Sequence, residues 1–262
     1  IEKLPFLISI PHGGTRIPDE LAKAICITDR DLFDDSDSFT REIYDVSEIA
    51  ASVVRFDIAR AFVDVSRPRN MVPPEFTDGV IKSATCYARP IYRRGAHPDG
   101  PMIQKLLDHY YHPYHEALKA SLKNPDIRLG LDCHSMAETG PPVSPDAGRD
   151  RPLINLGDAE GKASDPAITN LLRESFIEVF ELDENAVTIN RPFKGGYITT
   201  HYGNNPKPWI QIEMNRSLYL SEKWFDRNTL QMDEARLSAL NRDFANVLIR
   251  FHGKFANGLI KL

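Results

Sequence analysis

Short apolar runs that stop abruptly alternate along the chain with stretches of helical periodicity. Residues 6–10 form an apolar run closed by Pro11-His12-Gly13-Gly14, a pattern that predicts a strand and then a tight loop. An acidic loop over 31–37 leads into 38–51, where Phe39, Ile43, Val46 and Ile49 recur at helical spacing. Residues 53–58 and 61–65 read as two further strands. The Pro-, Gly- and Arg-rich stretch 66–101 reads as a long irregular segment, and loops of that length in a compact domain are usually functional or mobile. Residues 101–122 predict a helix carrying Ile103, Leu106, Leu107, Tyr110, Tyr114 and Leu118 on one side, kinked or interrupted at Pro113. Residues 128–133 form the central strand and 154–156 begin another. Residues 165–180 predict a helix, 187–189 a strand, 209–214 a strand, and 233–259 a long terminal helical region. A Gly-rich stretch, Phe193-Lys194-Gly195-Gly196-Tyr197, follows the strand at 187–189. This alternation predicts an α/β fold: one domain, with a mostly parallel or mixed central sheet and helices on both faces.

Composition narrows the function classes. A chain of 262 residues buries a single core comfortably, and 42% hydrophobic with 26% charged residues is ordinary for a globular protein. The net charge of −5 gives no basis for binding nucleic acid or an anionic membrane surface. Three unpaired-looking cysteines, Cys26, Cys86 and Cys133, point to a reducing compartment rather than a disulfide framework. No run approaches the ~20 apolar residues of a membrane span. The opening Ile1-Glu2-Lys3-Leu4-Pro5 is too short and broken for a signal peptide, so a cytoplasmic protein is expected. Oligomeric state is not legible. Locally clustered cations, Arg67-Pro68-Arg69 and Arg93-Arg94, favour a small anionic partner.

The chemistry concentrates at strand ends, where open α/β sheets place their sites. Leu131-Asp132-Cys133-His134-Ser135 and Ile10-Pro11-His12 each end an apolar run on a histidine, and Trp209-Ile210-Gln211-Ile212-Glu213 ends on a carboxylate. Converging histidine, histidine and carboxylate suggest metal-assisted hydrolysis. Strand alternation puts Asp132 and His134 on one face, so His134 reads as a ligand with Asp132 behind it, not as half of a Cys133–His134 nucleophile pair. A third ligand is expected from the acidic loop, Asp35 or Asp37, although Asp37 could equally cap the following helix. Glu213, isolated in an apolar strand, reads as a general base or as the partner of Arg216 or a buried lysine. Arg60, Arg67 and Arg69 offer planar forks for carboxylates and oxyanions. His112, His115 and His201 are further ionisable candidates, His112 more in a core or surface role.

Taken together, Ile8-Ser9-Ile10-Pro11-His12-Gly13-Gly14, Asp35-Ser36-Asp37, Val63-Asp64-Val65-Ser66-Arg67-Pro68 and Asp132-Cys133-His134-Ser135 resemble the N-formylglutamate amidohydrolase family. Pro113-Tyr114-His115, Ile154-Asn155-Leu156-Gly157, Phe193 to Thr199, His201-Tyr202-Gly203 and Gln211-Ile212-Glu213 extend the resemblance, in order, to about residue 220. The Asp-x-His-Ser element is also similar to that of zinc carboxypeptidases and aspartoacylase-type deacylases, implying a zinc-exopeptidase-like fold. The resemblance implies one zinc ion held by His12, Asp37 and His134, with Thr15 standing where carboxypeptidases carry a ligand glutamate. It implies Glu213 as general base, Arg60 polarising the scissile carbonyl and Arg67 clamping a substrate carboxylate. Lys194, Thr199 and His201 would fall in substrate-binding segments. The implied reaction is hydrolysis of a small anionic N-acyl amino acid, first N-formyl-L-glutamate, as in histidine degradation. A γ-glutamyl or carboxy-terminal peptide hydrolase and a non-catalytic metal- or anion-binding module are the alternatives. Ser66, Thr200 and Arg191-Pro192 depart from the family pattern in substrate-binding segments and bear on which acyl amino acid is cleaved.

Overall fold

A six-stranded mixed sheet forms the centre of the molecule. In the computed structural model, which describes residues 3–142 and 144–256, the chain begins β1 (Leu4–Ile10), α1 (Asp29–Asp35), α2 (Thr40–Tyr44) and β2 (Ala50–Arg55). It continues through α3 (Gly100–Leu106), α4 (His112–Leu122), β3 (Leu129–Met136), β4 (Ile154–Gly157), α5 (Pro166–Phe180) and β5 (Val187–Ile189). The remainder is α6 (Tyr197–Tyr202), β6 (Trp209–Asn215), the small hairpin β7 (Phe225–Asp226) and β8 (Gln231–Met232), and α7 (Glu234–Ala256). Strand order is β2-β1-β3-β6-β4-β5. The first four are mutually parallel, β4 runs antiparallel to β6, and β5 runs parallel to β4.

Side-chain alternation divides the central strands between two layers. Phe6, Ile8 and Ile10 of β1, Leu129, Leu131 and Cys133 of β3, and Ile210, Ile212 and Met214 of β6 form one core with α2, α5 and α7. Leu7 and Trp209 pack in a second core with Leu106, Tyr114, Leu118 and Ile198 from α3, α4 and α6. The sheet positions between the first core's residues turn polar toward the strand ends: Ser9, Asp132, His134, Gln211 and Glu213 are all buried. Gly130 has a packing reason, since a Cβ there would sit 2.3 Å from the Trp209 ring.

Several elements differ from the sequence-based expectation. The acidic stretch is helical, because the Thr28 hydroxyl caps α1 by accepting from the Asp31 N–H at 3.1 Å. The helix expected over 38–51 shrinks to α2. Phe39 precedes it in the left-handed region at φ 64, and residues from Ala50 onward pair with β1 instead. Residues 61–65 are not a strand, since Phe62 and Val63 spend their N–H groups on the Ala59 carbonyl in tight turns. No kink ends the helix at Pro113. A wide π turn over Leu107–Tyr111 precedes α4, easing the ring that cannot donate to the carbonyl four residues back. Helix α6 and the β7–β8 hairpin were not anticipated, and the part of the terminal helix expected at 257–259 lies outside the described residues. Among the described residues no helix is long and apolar enough to cross a membrane.

Candidate metal centre and active site

Because β1, β3 and β6 are parallel neighbours, their carboxyl ends gather at one edge. His12 follows β1 by two residues, and its turn is tight. Cβ atoms at Gly13 and Gly14 would lie 2.6 Å from Arg41 Cγ and 2.3 Å from the Asp57 carbonyl carbon, so only glycine lets these backbones meet. His134 stands in β3, in register with Glu213 of β6. Asp37 lies between α1 and α2 and is tied to the first turn by its N–H donating to the His12 carbonyl at 3.2 Å.

Three donor atoms converge. His134 Nδ1 is 3.1 Å from His12 Nδ1 and 3.1 Å from Asp37 Oδ2, and His12 Nδ1 is 3.4 Å from the same oxygen. All three residues are buried, and these atoms lie within 4.8 Å of one another. The outer ring nitrogens face carboxylates: His12 Nε2 is 2.7 Å from Asp64 Oδ1, and His134 Nε2 is 3.2 Å from Asp132 Oδ1. The His12 contact is a formed hydrogen bond, and a ring whose outer N–H meets a carboxylate turns a lone pair inward; the His134 contact is an ion-pair distance without hydrogen-bond geometry. Tetrahedral zinc bonds of ~2.0–2.1 Å put neighbouring ligand atoms about 3.3 Å apart, the spacing these atoms have. The donor set therefore fits a zinc-type ion. Burial opposes a charge on His134, yet Asp132 and Asp37 outweigh it and raise its basicity well above the usual histidine range. Burial pushes the Asp37 carboxyl up, but the two histidines and Arg60 hold it well below the usual carboxylate range.

Asp35 is not brought to this cluster; its Oδ1 accepts from the Cys86 N–H at 2.7 Å. Nor does the Asp37 side chain cap α2. Its Oδ1 pairs with Arg216 Nη2 at 3.1 Å and Arg60 Nη1 at 3.5 Å, and its Oδ2 also faces the Ser135 N–H at 3.3 Å. Arg216, the expected structural partner of Glu213, is thus committed to Asp37. Glu213 is buried, and its carboxyl is pushed up to about 7, chiefly by burial against the opposing pull of His134. The Gln211 side-chain N–H donates to Glu213 Oε1 at 2.6 Å, while the Gln211 side-chain Oε1 accepts from the Gly196 N–H.

A cavity of about 660 Å³ opens on the cluster, lined among others by Arg60, Arg67, Phe193, Lys194, Glu213 and Arg216. Arg67 is about one-third exposed, with Nη2 2.7 Å from Asp78 Oδ2. Lys194 is exposed and paired with Glu160 at 2.6 Å. Thr199 and His201 do not line the cavity. Thr199 is fully buried and donates to Asp132 Oδ2 at 3.1 Å, and His201 stacks on Tyr197 with ring centres 4.9 Å apart. His115 is buried in the second core. Sequence reasoning gave no role to Asp64, Lys82, Gln211 or a cationic Arg216 at Asp37. Asp64 alone left a signal, a carboxylate inside the apolar run 61–65.

Comparison with known proteins adds independent findings. Residues 4–220 match the model of the N-formylglutamate amidohydrolase family. The chain is 29% identical over 229 residues to the N-formylglutamate deformylase of Pseudomonas putida, covering 84% of this chain and 83% of that protein. It is 30% identical over 230 residues to the protein of the same name from Pseudomonas aeruginosa, covering 84% of each. In fold it is similar to the crystal structure of N-formylglutamate amidohydrolase from Ralstonia eutropha JMP134, with a TM-score of 0.78 at 22% identity over 98% of this chain and 96% of that one.

Proposed function

The chain belongs to the N-formylglutamate amidohydrolase family, and from that premise we propose that it is a zinc-dependent hydrolase of small N-acyl amino acids, acting first on N-formyl-L-glutamate to give L-glutamate and formate. One observation carries the reading: a buried carboxyl, Glu213, stands in register beside His134 at a cavity lined by arginines.

His12, Asp37 and His134 would hold a zinc ion, which when bound would supply the Lewis acidity that makes water a stronger acid near neutral pH. Glu213 accepts the proton of the attacking water, and a carboxyl poised at about 7 both takes a proton and gives it back at neutral pH. The water oxygen bonds to the formyl carbon as the carbonyl electrons move onto the carbonyl oxygen. Arg60, partly buried beside Asp37 and Asp64, with its Nε lacking a hydrogen-bond partner among the described residues, donates to that developing charge. Glu213 then returns its proton to the amine nitrogen, the C–N bond breaks, and formate and the amino acid leave. Arg67, held by Asp78 through its Nε and Nη2, turns its remaining N–H groups to the substrate carboxylate, and Lys194 offers a second cation on the same wall. Thr199 contributes by holding Asp132 behind His134, and His201 by packing on Tyr197.

Formate release from N-formyl-L-glutamate, compared with its neutral amides, tests the assignment. A lost charged hydrogen bond costs ~1.5–3 kcal/mol, so the acid should exceed the amides by roughly ten- to a hundred-fold in kcat/KM. Equal rates would remove the carboxylate clamp from Arg67, and absence of formate release would overturn the assignment.

A further inference from the structure

Lys82 is 1% exposed, and burying an ammonium is costly unless it is paired. Its Nζ lies at ion-pair distance, without hydrogen-bond geometry, from two carboxylates: 3.2 Å from Asp64 Oδ2 and 3.4 Å from Asp78 Oδ1. Each of those carboxylates uses its other oxygen on a site residue. Asp64 Oδ1 meets His12 Nε2 at 2.7 Å, and Asp78 Oδ2 meets Arg67 Nη2 at 2.7 Å. The Arg67 fork is completed by its Nε donating to the Asp78 carbonyl at 3.1 Å. An unbroken run of charged contacts thus joins a ligand of the metal cradle to the arginine on the cavity wall, with Lys82 at its midpoint.

We propose that Lys82 is a positioning residue shared by the two halves of the site, orienting His12 through Asp64 and Arg67 through Asp78. The Arg67 arm rests on the functional reading above; the His12 arm rests on the cradle alone. Asp64 must stay fixed to hold the outer N–H of His12 and keep the inner lone pair aimed at the cluster. Lys82 supplies the nearest cation to Asp64, closer than Arg60 at 3.6 Å. Asp78 is 68% exposed at its side chain. Its contact with the buried Lys82 anchors an otherwise solvated acid and the Arg67 fork with it.

The test uses the full chain loaded with zinc. Lys82→Met removes the charge while keeping an unbranched side chain. It should weaken zinc binding by about tenfold or more in competition with a chromophoric chelator, the usual cost of disturbing a group behind a ligand. It should also raise KM for N-formyl-L-glutamate by about tenfold, with kcat of the loaded protein changing less. Circular dichroism and thermal melting establish that the variant is folded. Asp78→Asn alters an exposed side chain and cuts only the second arm, so KM should rise while zinc affinity stays at the wild-type value; this variant decides the proposal if Lys82→Met does not fold. Wild-type zinc affinity in folded Lys82→Met overturns the proposal, as does an unchanged or lowered KM for Asp78→Asn, which would mean that the acid does not orient Arg67. Chelator competition needs no turnover. A wild-type protein that releases no formate therefore defeats the functional reading and leaves the His12 arm to be decided by zinc affinity.

Discussion

Single residues here are governed by charge held out of water. Asp37, Asp64 and Asp132 are buried carboxylates, and each is matched by a cation or an imidazole, since an unpaired charge in a low-dielectric interior is costly. Glu213 has a different setting, because burial and the Asp37 charge raise it while His134 and Arg60 only partly offset them. Glu213→Gln tests its role. The amide is nearly isosteric and cannot take a proton at neutral pH, so kcat should fall by ~10²–10⁴ with zinc content unchanged; unchanged turnover would remove Glu213 from the mechanism. At this scale the sequence was most legible where a polar residue closed or interrupted an apolar strand, as at His12, His134 and Glu213. Lys82, Gln211 and Arg216 were illegible because their meaning lies in partners far away in sequence: Arg216 reaches Asp37 across 179 positions.

The elements were legible where periodicity was sustained. The strands at 6–10, 128–133 and 209–214 and helices α5 and α7 follow the hydrophobic pattern closely. The failures share a cause, local pattern overridden by tertiary pairing: residues 50–52 join β1 ahead of the strand expected from 53, and 61–65 turn tightly so that Asp64 reaches His12. Helix α4 carries a consequence of such packing. His115 is buried, with Nε2 3.0 Å from the Val65 carbonyl and Nδ1 2.8 Å from the Tyr202 hydroxyl. A carbonyl only accepts, so Nε2 donates to Val65 and Nδ1 accepts from Tyr202. Burial lowers its pKa from 6.5 to about 4. Between those values the unfolded chain binds the proton more readily, so the stability from neutral His115 is complete above pH 6.5 and is lost as pH falls toward 4. Linkage puts the loss at up to about 3 kcal/mol. Urea unfolding at pH 7 and pH 4.5 should show a smaller acid loss for His115→Gln than for the wild type. Equal losses would place that acid sensitivity elsewhere.

The whole molecule gathers its chemistry by topology. Three parallel strands adjacent at the centre of the sheet deliver His12, His134 and Glu213 to one edge, and the irregular segment between β2 and α3 supplies Arg60, Asp64, Arg67 and Lys82 from the side. The α/β class and the metal-hydrolase reading were accessible from strand ends and motif order. The strand order was not, because placing β6 between β3 and an antiparallel β4 depends on pairings that no local pattern encodes. As proposed, this edge is a metal-dependent deformylase centre. Formate release from N-formyl-L-glutamate, followed as zinc is stripped by a chelator and then returned, measures it most directly. Release should be lost with the metal and restored in proportion to the zinc rebound. Release that persists in the metal-free protein would contradict it.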